Sequence, residues 1–205
     1  MGRNCLVTAV LIVNNVILAQ DTGAKLDAVL TEAAGQLKFT GTALVAKGGK
    51  IFLEKGYGMA EVELDVPNTP AMKFRLGSIT KQFTAAAIMQ LQEQGKLSVS
   101  DLACKYIEDC PEAWKTVTIH HLLTHTSGIP SYTGMPEFPK PQMMRMPLKP
   151  LEILMLTSKK NLDFKPGEGY LYDNSGYIFL GCIIEKVAGV SYAEYLKSTS
   201  LSRWE

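Results

Sequence analysis

Apolar residues recur along this chain with two different periods. Between residues 24 and 38, Leu26, Val29, Leu30, Ala33 and Leu37 fall on one face at helical spacing and predict an amphipathic helix. FTGTALVAKGGKIFLEKGYG follows and reads as two short strands around a Gly48-Gly49 turn, a hairpin signal. AEVELDVPNTPAMKFRLG is extended and turn-rich. From Ser78 to Gln94 the helical period returns, and Gly95 supplies the stop. Beyond Lys96, the segments 101–110, 118–125, 151–157 and 175–188 read as helices. Pro130, Pro136, Pro139, Pro141, Pro147 and Pro150 break the stretch between the second and third of these into a loop, because proline removes a donor and restricts the preceding residue. The helix after Asn174 stops at Gly189, and Ser191 with Glu194 has the spacing of a capping box. The order is helix, hairpin, long helix, helical block. A two-stranded hairpin alone is marginal in water, and convincing strands to support it do not follow residue 190.

Length and charge narrow the function classes. A chain of 205 residues suggests one domain, or one domain plus a small insertion, and buries roughly 70% of its extended surface. The net charge is +1, with no basic face, so a nucleic-acid partner is not expected. No apolar run reaches the roughly 18 residues of a transmembrane helix. At the N-terminus Arg3, the apolar run Leu6–Val13 and Ala19 resemble a secretory leader cleaved after Ala19, which implies a secreted or periplasmic protein. Asn14, Asn15 and Ile17 interrupt that pattern, and the alternative is an N-terminal strand. Cys5 lies in this segment, and Cys182 lies in an apolar helical stretch as core packing. Cys104 and Cys110 are close enough to bridge in an exported chain. Their spacing supplies no geometry, and two free thiols are the main reading.

Candidate chemistry begins at Ser78. Lys81 follows three residues later, on one helical face, about 5–6 Å away between Cβ atoms. A serine hydroxyl becomes a good nucleophile when a neighbour takes its proton, and a lysine can do so if burial or nearby cations lower its pKa. The helix N-terminus adds partial positive charge and amide donors suited to an oxyanion. Ser-x-x-Lys alone is expected about once by chance in a chain of this length. Here Gly77 precedes the serine, and Phe83, Ala85, Ala86, Ile88, Met89 and Leu91 mark a buried helix, so Lys81 is expected to be enclosed. In YLYDNSGY, Tyr172 can relay a proton and Asn174 can bind an amide, while Asp173 or Asn174 can equally be a helix N-cap. In TIHHLLTHTSGIP, His121 and His125 have a spacing that can hold zinc. No acidic residue and no third ligand accompany them, so a helix capped by Thr118 and stopped at Gly128-Ile129-Pro130 is the reading taken, with no metal and no cofactor.

Three stretches together, KFRLGSITKQFTA, VTIHHLLTHTSGIP and FKPGEGYLYDNSGYIFLGCIIEKVAGVSYAEYL, resemble the serine β-lactamase and D-Ala-D-Ala peptidase superfamily, which includes penicillin-binding proteins. Within it they are similar to the class C, Tyr-x-Asn branch. GYGMAEVELDVPNTP resembles the family's approach to the serine, and the resemblance covers about residues 24–197. It implies an α+β fold of the β-lactamase/transpeptidase type, an antiparallel sheet flanked by helices plus a helical block. Residues 1–19 would be the leader and 20–205 one incomplete domain. Within that domain, 20–95 would carry the hairpin and nucleophile helix, 96–190 the helical block, and 191–205 the start of a C-terminal part.

The resemblance also implies chemistry. Ser78 would attack a β-lactam, peptide or ester carbonyl and form an acyl-enzyme. Lys81 and Tyr172 would jointly handle its proton, and Asn174 would bind the substrate amide. The substrate would be a small molecule or a peptidoglycan-like peptide. Alternatives are a non-catalytic penicillin-binding or sensing relative and an esterase on the same scaffold. The family's later Lys-Thr-Gly or His-x-Gly strand has no counterpart after Tyr172, so the C-terminal sheet strands are missing. Relatives continue into a Glu-Pro-Leu-Gly-Met-like segment where this chain reads LSRWE. Permitted codons for Leu201–Glu205, followed by a TGA stop, contain that segment in another frame, and a frameshift near residues 198–200 is the expected cause. The chain as written is expected to be poorly stable and weakly active or inactive.

Overall fold

The computed structural model describes residues 22–36, 39–136, 138 and 148–201. The leader expected over 1–19, Pro139, Pro141 and Pro147 of the loop, and residues 202–205 lie outside the described residues. The chain divides into two compact units, one ending at Arg75 and one spanning Leu76–Glu205.

In the first unit, helix α1 (22–35) turns Leu26, Leu30 and Ala33 inward to half-burial, whereas Val29 lies off that stripe and is exposed. Strands β1 (Gly41–Lys47) and β2 (Lys50–Tyr57) pair antiparallel from Gly41↔Tyr57 to Lys47↔Lys50. Gly48 and Gly49 have φ of 57° and 75°, the left-handed pair a tight two-residue hairpin requires. A second small antiparallel pair joins β3 (Met59–Glu61) to β4 (Val66–Pro67). Asp27 of α1 accepts from Lys55 at 2.8 Å and from Tyr57 at 2.8 Å, tying helix to hairpin.

The second unit opens with a 3₁₀ turn (Gly77–Ile79) that runs into helix α2 (Thr80–Glu93). Helix α2 ends as its sequence dictates. Gly95 takes φ 68°, its N–H reaches Gln92 O at 2.9 Å, and Lys96 N–H reaches Leu91 O at 3.0 Å, a Schellman stop. Helix α3 (Ile119–Leu123) carries a reciprocal cap between Thr118 and His121. Helix α4 (Pro150–Met155) begins with Pro150, which at the first helical position lacks only a donor that would have no partner there. Helix α5 (Asn174–Ala188) is capped by the Asp173 carboxylate and stopped by Gly189 at φ 72°. Helix α6 (Tyr192–Leu196) has the expected Ser191/Glu194 capping box. Among the described residues no single helix is long and apolar enough to cross a membrane.

Helix α5 is the centre of this unit. Phe179, Leu180, Ile183 and Ile184 are fully buried with Ile88 and Leu91 of α2, Ile119 and Leu122 of α3, Leu154 of α4 and Trp114. The segment 101–110 departs from expectation. It holds only a 3₁₀ turn, Ala103–Tyr106, because its backbone bonds sideways. Ala103 N–H goes to Val117 O at 2.8 Å, and Asp101 O receives Ile119 N–H at 3.0 Å. The Asp101 carboxylate accepts from Ser98 N–H and from Tyr106 Oη, which fixes the turn from the side-chain side. Cys104 and Cys110 are disulfide-bonded across it with Cα atoms 5.5 Å apart, in place of the two free thiols taken as the main reading. Folding back through the turn brings them within bridging reach, which a straight helix would not.

Candidate active site

The four residues singled out from the sequence meet in the second unit. Gly77 adopts φ 56° immediately before Ser78, and this left-handed step starts the 3₁₀ turn at the entrance of α2. One turn on, Lys81 is half-buried, and its Nζ donates to Ser78 Oγ at 3.3 Å and to Asn174 Oδ1 at 2.7 Å. From the other side Tyr172 Oη donates to Ser78 Oγ at 2.5 Å. The serine oxygen therefore lies between a phenol and an amine. Lys81 Nζ also stands 4.8 Å from the Tyr172 ring centre and 5.3 Å from that of Tyr177. Aromatic faces attract a cation, so both rings hold the lysine head at the serine. Hydrogen bonding to Lys81, and then to Ser78, lowers the Tyr172 pKa from its ordinary value of 10.0.

Tyr172 sits on the extended approach to α5, and Asn174 is that helix's first residue. Asp173, between them, is the cap, and its Oδ2 accepts Gly176 N–H at 2.9 Å. The side chains on either side of the cap reach Ser78 and Lys81 respectively, so the cap leaves both free to join this cluster. The Asn174 amide is oriented at both ends, since its Nδ2 donates to Thr133 Oγ1 at 2.9 Å. The turn that supplies Thr133 is anchored in return. Asn174 N–H donates to Ser131 Oγ at 3.1 Å, and Tyr132 N–H to Ser175 Oγ at 2.9 Å. A cleft beside Ser78 is lined by Lys81, Thr133, Ile153, Asn174 and Tyr177.

Asp173 is 3% exposed, and its Oδ1 has no hydrogen-bond partner among the described residues. Burial pushes its carboxyl up to about 6, against bonds from Gly176 and Ser175 that pull it down. The folded pKa is above the unfolded one, so Asp173 contributes stability that is full below about pH 4 and lost as pH rises through about 6. Asp173→Asn keeps a capping oxygen and removes the ionisation. The expected result is a loss of about 3 kcal/mol of pH-dependence across that window, read by urea unfolding at a series of pH values. An unchanged pH slope would contradict the assignment.

The two histidines with zinc-like spacing are engaged differently. His121 Nδ1 accepts Thr118 N–H at 3.2 Å within the α3 cap. His125 Nδ1 accepts Asp173 N–H at 3.1 Å. Among the described residues no group of three or more His, Cys, Asp or Glu is placed to hold a metal ion. Sequence reasoning missed Thr133, Tyr177 and His125 as neighbours of the site. The available signal was that His125 and Tyr177 each belong to a stretch carrying the resemblance.

The profile of the Beta-lactamase family matches residues 26–204, so the chain belongs to that family. Penicillin-binding protein 4* of Bacillus subtilis (strain 168) is 37% identical over 164 residues, covering 79% of this chain and 36% of the relative. The octameric penicillin-binding protein homologue from Pyrococcus abyssi is 40% identical with a TM-score of 0.72, over 87% of this chain and 42% of that one. The penicillin-binding protein from Bacillus halodurans is 35% identical with a TM-score of 0.71, over 85% and 53%. The fold is thus α+β of the β-lactamase and penicillin-binding protein type, and the chain spans little more than a third of the length of that curated relative.

Proposed function

We propose that the chain carries the nucleophile and proton-transfer groups of a serine hydrolase that works through an acyl-enzyme on Ser78. The observation that carries this reading is the convergence of Lys81 Nζ and Tyr172 Oη on one serine oxygen. In the forward step Ser78 Oγ attacks a carbonyl carbon and gives its proton to the Tyr172–Lys81 pair. The pair then returns that proton to the departing nitrogen or oxygen as the bond to it breaks. Asn174, held between Lys81 and Thr133, is a ready partner for a substrate amide. Substrates are β-lactams, peptidoglycan-like peptides or esters, the first supported by the penicillin-binding relatives. The Cys104–Cys110 bridge supports an exported protein, because disulfides persist in oxidising compartments.

Intact-protein mass spectrometry after incubation with a penicillin and, separately, an activated ester tests the reading. The expected result is a single covalent adduct on Ser78, absent in Ser78→Ala. Turnover of one compound over the other then ranks the substrate classes. No adduct with either compound, or an adduct that survives Ser78→Ala, would overturn the proposal.

A further inference from the structure

His125 makes none of the hydrogen bonds that converge on Ser78, yet it holds the chain on both sides of Tyr172. Its carbonyl oxygen accepts Leu171 N–H at 3.1 Å, and its Nδ1 accepts Asp173 N–H at 3.1 Å. Between these two bonds its ring lies against Tyr172, with centroids 4.6 Å apart and planes tilted by 37°. Tyr177 stands 5.2 Å away, and Tyr170 meets the ring edge-on at 6.1 Å. His125 itself has φ 59°, a left-handed conformation uncommon outside glycine. We propose that His125 is a positioning residue for Tyr172, a clamp that fixes the segment 171–173 at both ends and so sets the reach of the phenol to Ser78. The inference rests on the acyl-enzyme reading above.

The segment explains why a clamp is needed. Residues 169–173 have no regular secondary structure, so no ladder of neighbouring strands holds them. The amides of Leu171 and Asp173 alternate as they would along a strand, and both are taken by this one residue. A side chain on an extended segment outside any strand ladder swings more easily, and a misplacement of about 1 Å can cost about a hundredfold in rate.

The clamp depends on protonation. Nδ1 accepts only while it keeps its lone pair, so the working imidazole is neutral with its proton on Nε2. The titratable and charged groups facing it are Lys81 from α2, Tyr177 from α5, and Tyr170, Tyr172 and Asp173 on the segment itself. Burial, and then the Lys81 charge, lower the His125 pKa below 6.5. The clamp is therefore complete at neutral pH, and its Asp173 end is released as pH falls through the depressed imidazole pKa, while the Leu171 bond to the His125 carbonyl does not titrate.

Two readouts on the full chain test this, one of which needs no activity. The first is NMR hydrogen exchange of the Leu171 and Asp173 amides, with the His125 ring resonances followed against pH. The second is the rate of Ser78 labelling by a fluorophosphonate over the same pH range. His125→Phe keeps a ring and loses the acceptor. His125→Asn tolerates the left-handed backbone and keeps a short acceptor that does not titrate. In the unsubstituted chain, Asp173 protection is expected to fall in step with imidazole protonation. In His125→Phe, protection of Asp173 and labelling near neutral pH are each expected to fall about tenfold. In His125→Asn protection persists, and the part of the acid limb that tracks the imidazole disappears.

Asp173 protection that ignores the imidazole titration would overturn the proposal, as would an acid limb unmoved in His125→Asn. If the unsubstituted chain takes no label at all, the acyl-enzyme reading fails. Amide exchange then decides the clamp by itself.

Discussion

Lys81→Met is expected to slow acylation of Ser78 by about 10²–10⁴-fold, the range that a positioned proton-transfer group supplies. Methionine keeps an unbranched stem of similar volume against Tyr172 and Tyr177, so the substitution removes the amine and little packing. Two effects add. Ser78 loses the nitrogen 3.3 Å from its oxygen, and Tyr172 loses the first cause of its lowered pKa, so the phenol returns towards 10.0. Asn174 Oδ1 loses its donor at 2.7 Å, although Thr133 still holds the other end of the amide. Single-turnover labelling of Ser78 against the unsubstituted chain checks the rate, and circular dichroism checks that the fold is kept. An acylation rate unchanged in a folded Lys81→Met chain would remove this lysine from the mechanism.

Phe179→Ala is expected to cost about 3–5 kcal/mol of stability, the range for truncating a buried aromatic. Phe179 is fully buried, and its ring centroid lies 5.8 Å from that of Trp114, which is also fully buried. Domain stabilities are about 5–15 kcal/mol, so this one change removes a large share. The site should go with it. Phe179 holds α5 in the core, and the start of α5 carries Asn174 and the Asp173 cap next to Tyr172. Urea unfolding followed by tryptophan fluorescence measures the loss, with exposed Val190→Ala as a control expected within about 0.5 kcal/mol. A loss below about 1 kcal/mol for Phe179→Ala would mean that α5 is not anchored through this residue.

What the sequence revealed of the site, and what it concealed, follows from the length of the contacts. Ser78 and Lys81 are legible together because a helical turn alone brings them close. Tyr172 and Asn174 are legible because they stand at the start of a strongly apolar helix, where Asp173 or Asn174 is expected as the cap. Thr133 and His125 were not legible as neighbours. They reach Asn174 and Asp173 across 41 and 48 residues, and no local period encodes such contacts. The helix expected over 101–110 failed for a related reason. The Ala103 N–H and the Asp101 carbonyl found partners at Val117 and Ile119, and tertiary bonding overrode an apolar pattern compatible with a helix. In the first unit, two glycines in sequence were enough to specify the hairpin turn. The reversal needs left-handed backbone at both positions, and that demand is written in the residue type.

The bridge across the 103–106 turn also makes the thiol inventory of this protein a record of where it folded. Cys182 is half-buried, and burial pushes its thiol up to about 11, so it is a poor nucleophile at neutral pH. With Cys104 and Cys110 joined, the described residues offer alkylating agents no ready target. A chain folded under reducing conditions would instead present two additional thiols on one small turn. The same sequence thus leaves two chemically distinct molecules, distinguished by the redox poise of the compartment that produced them.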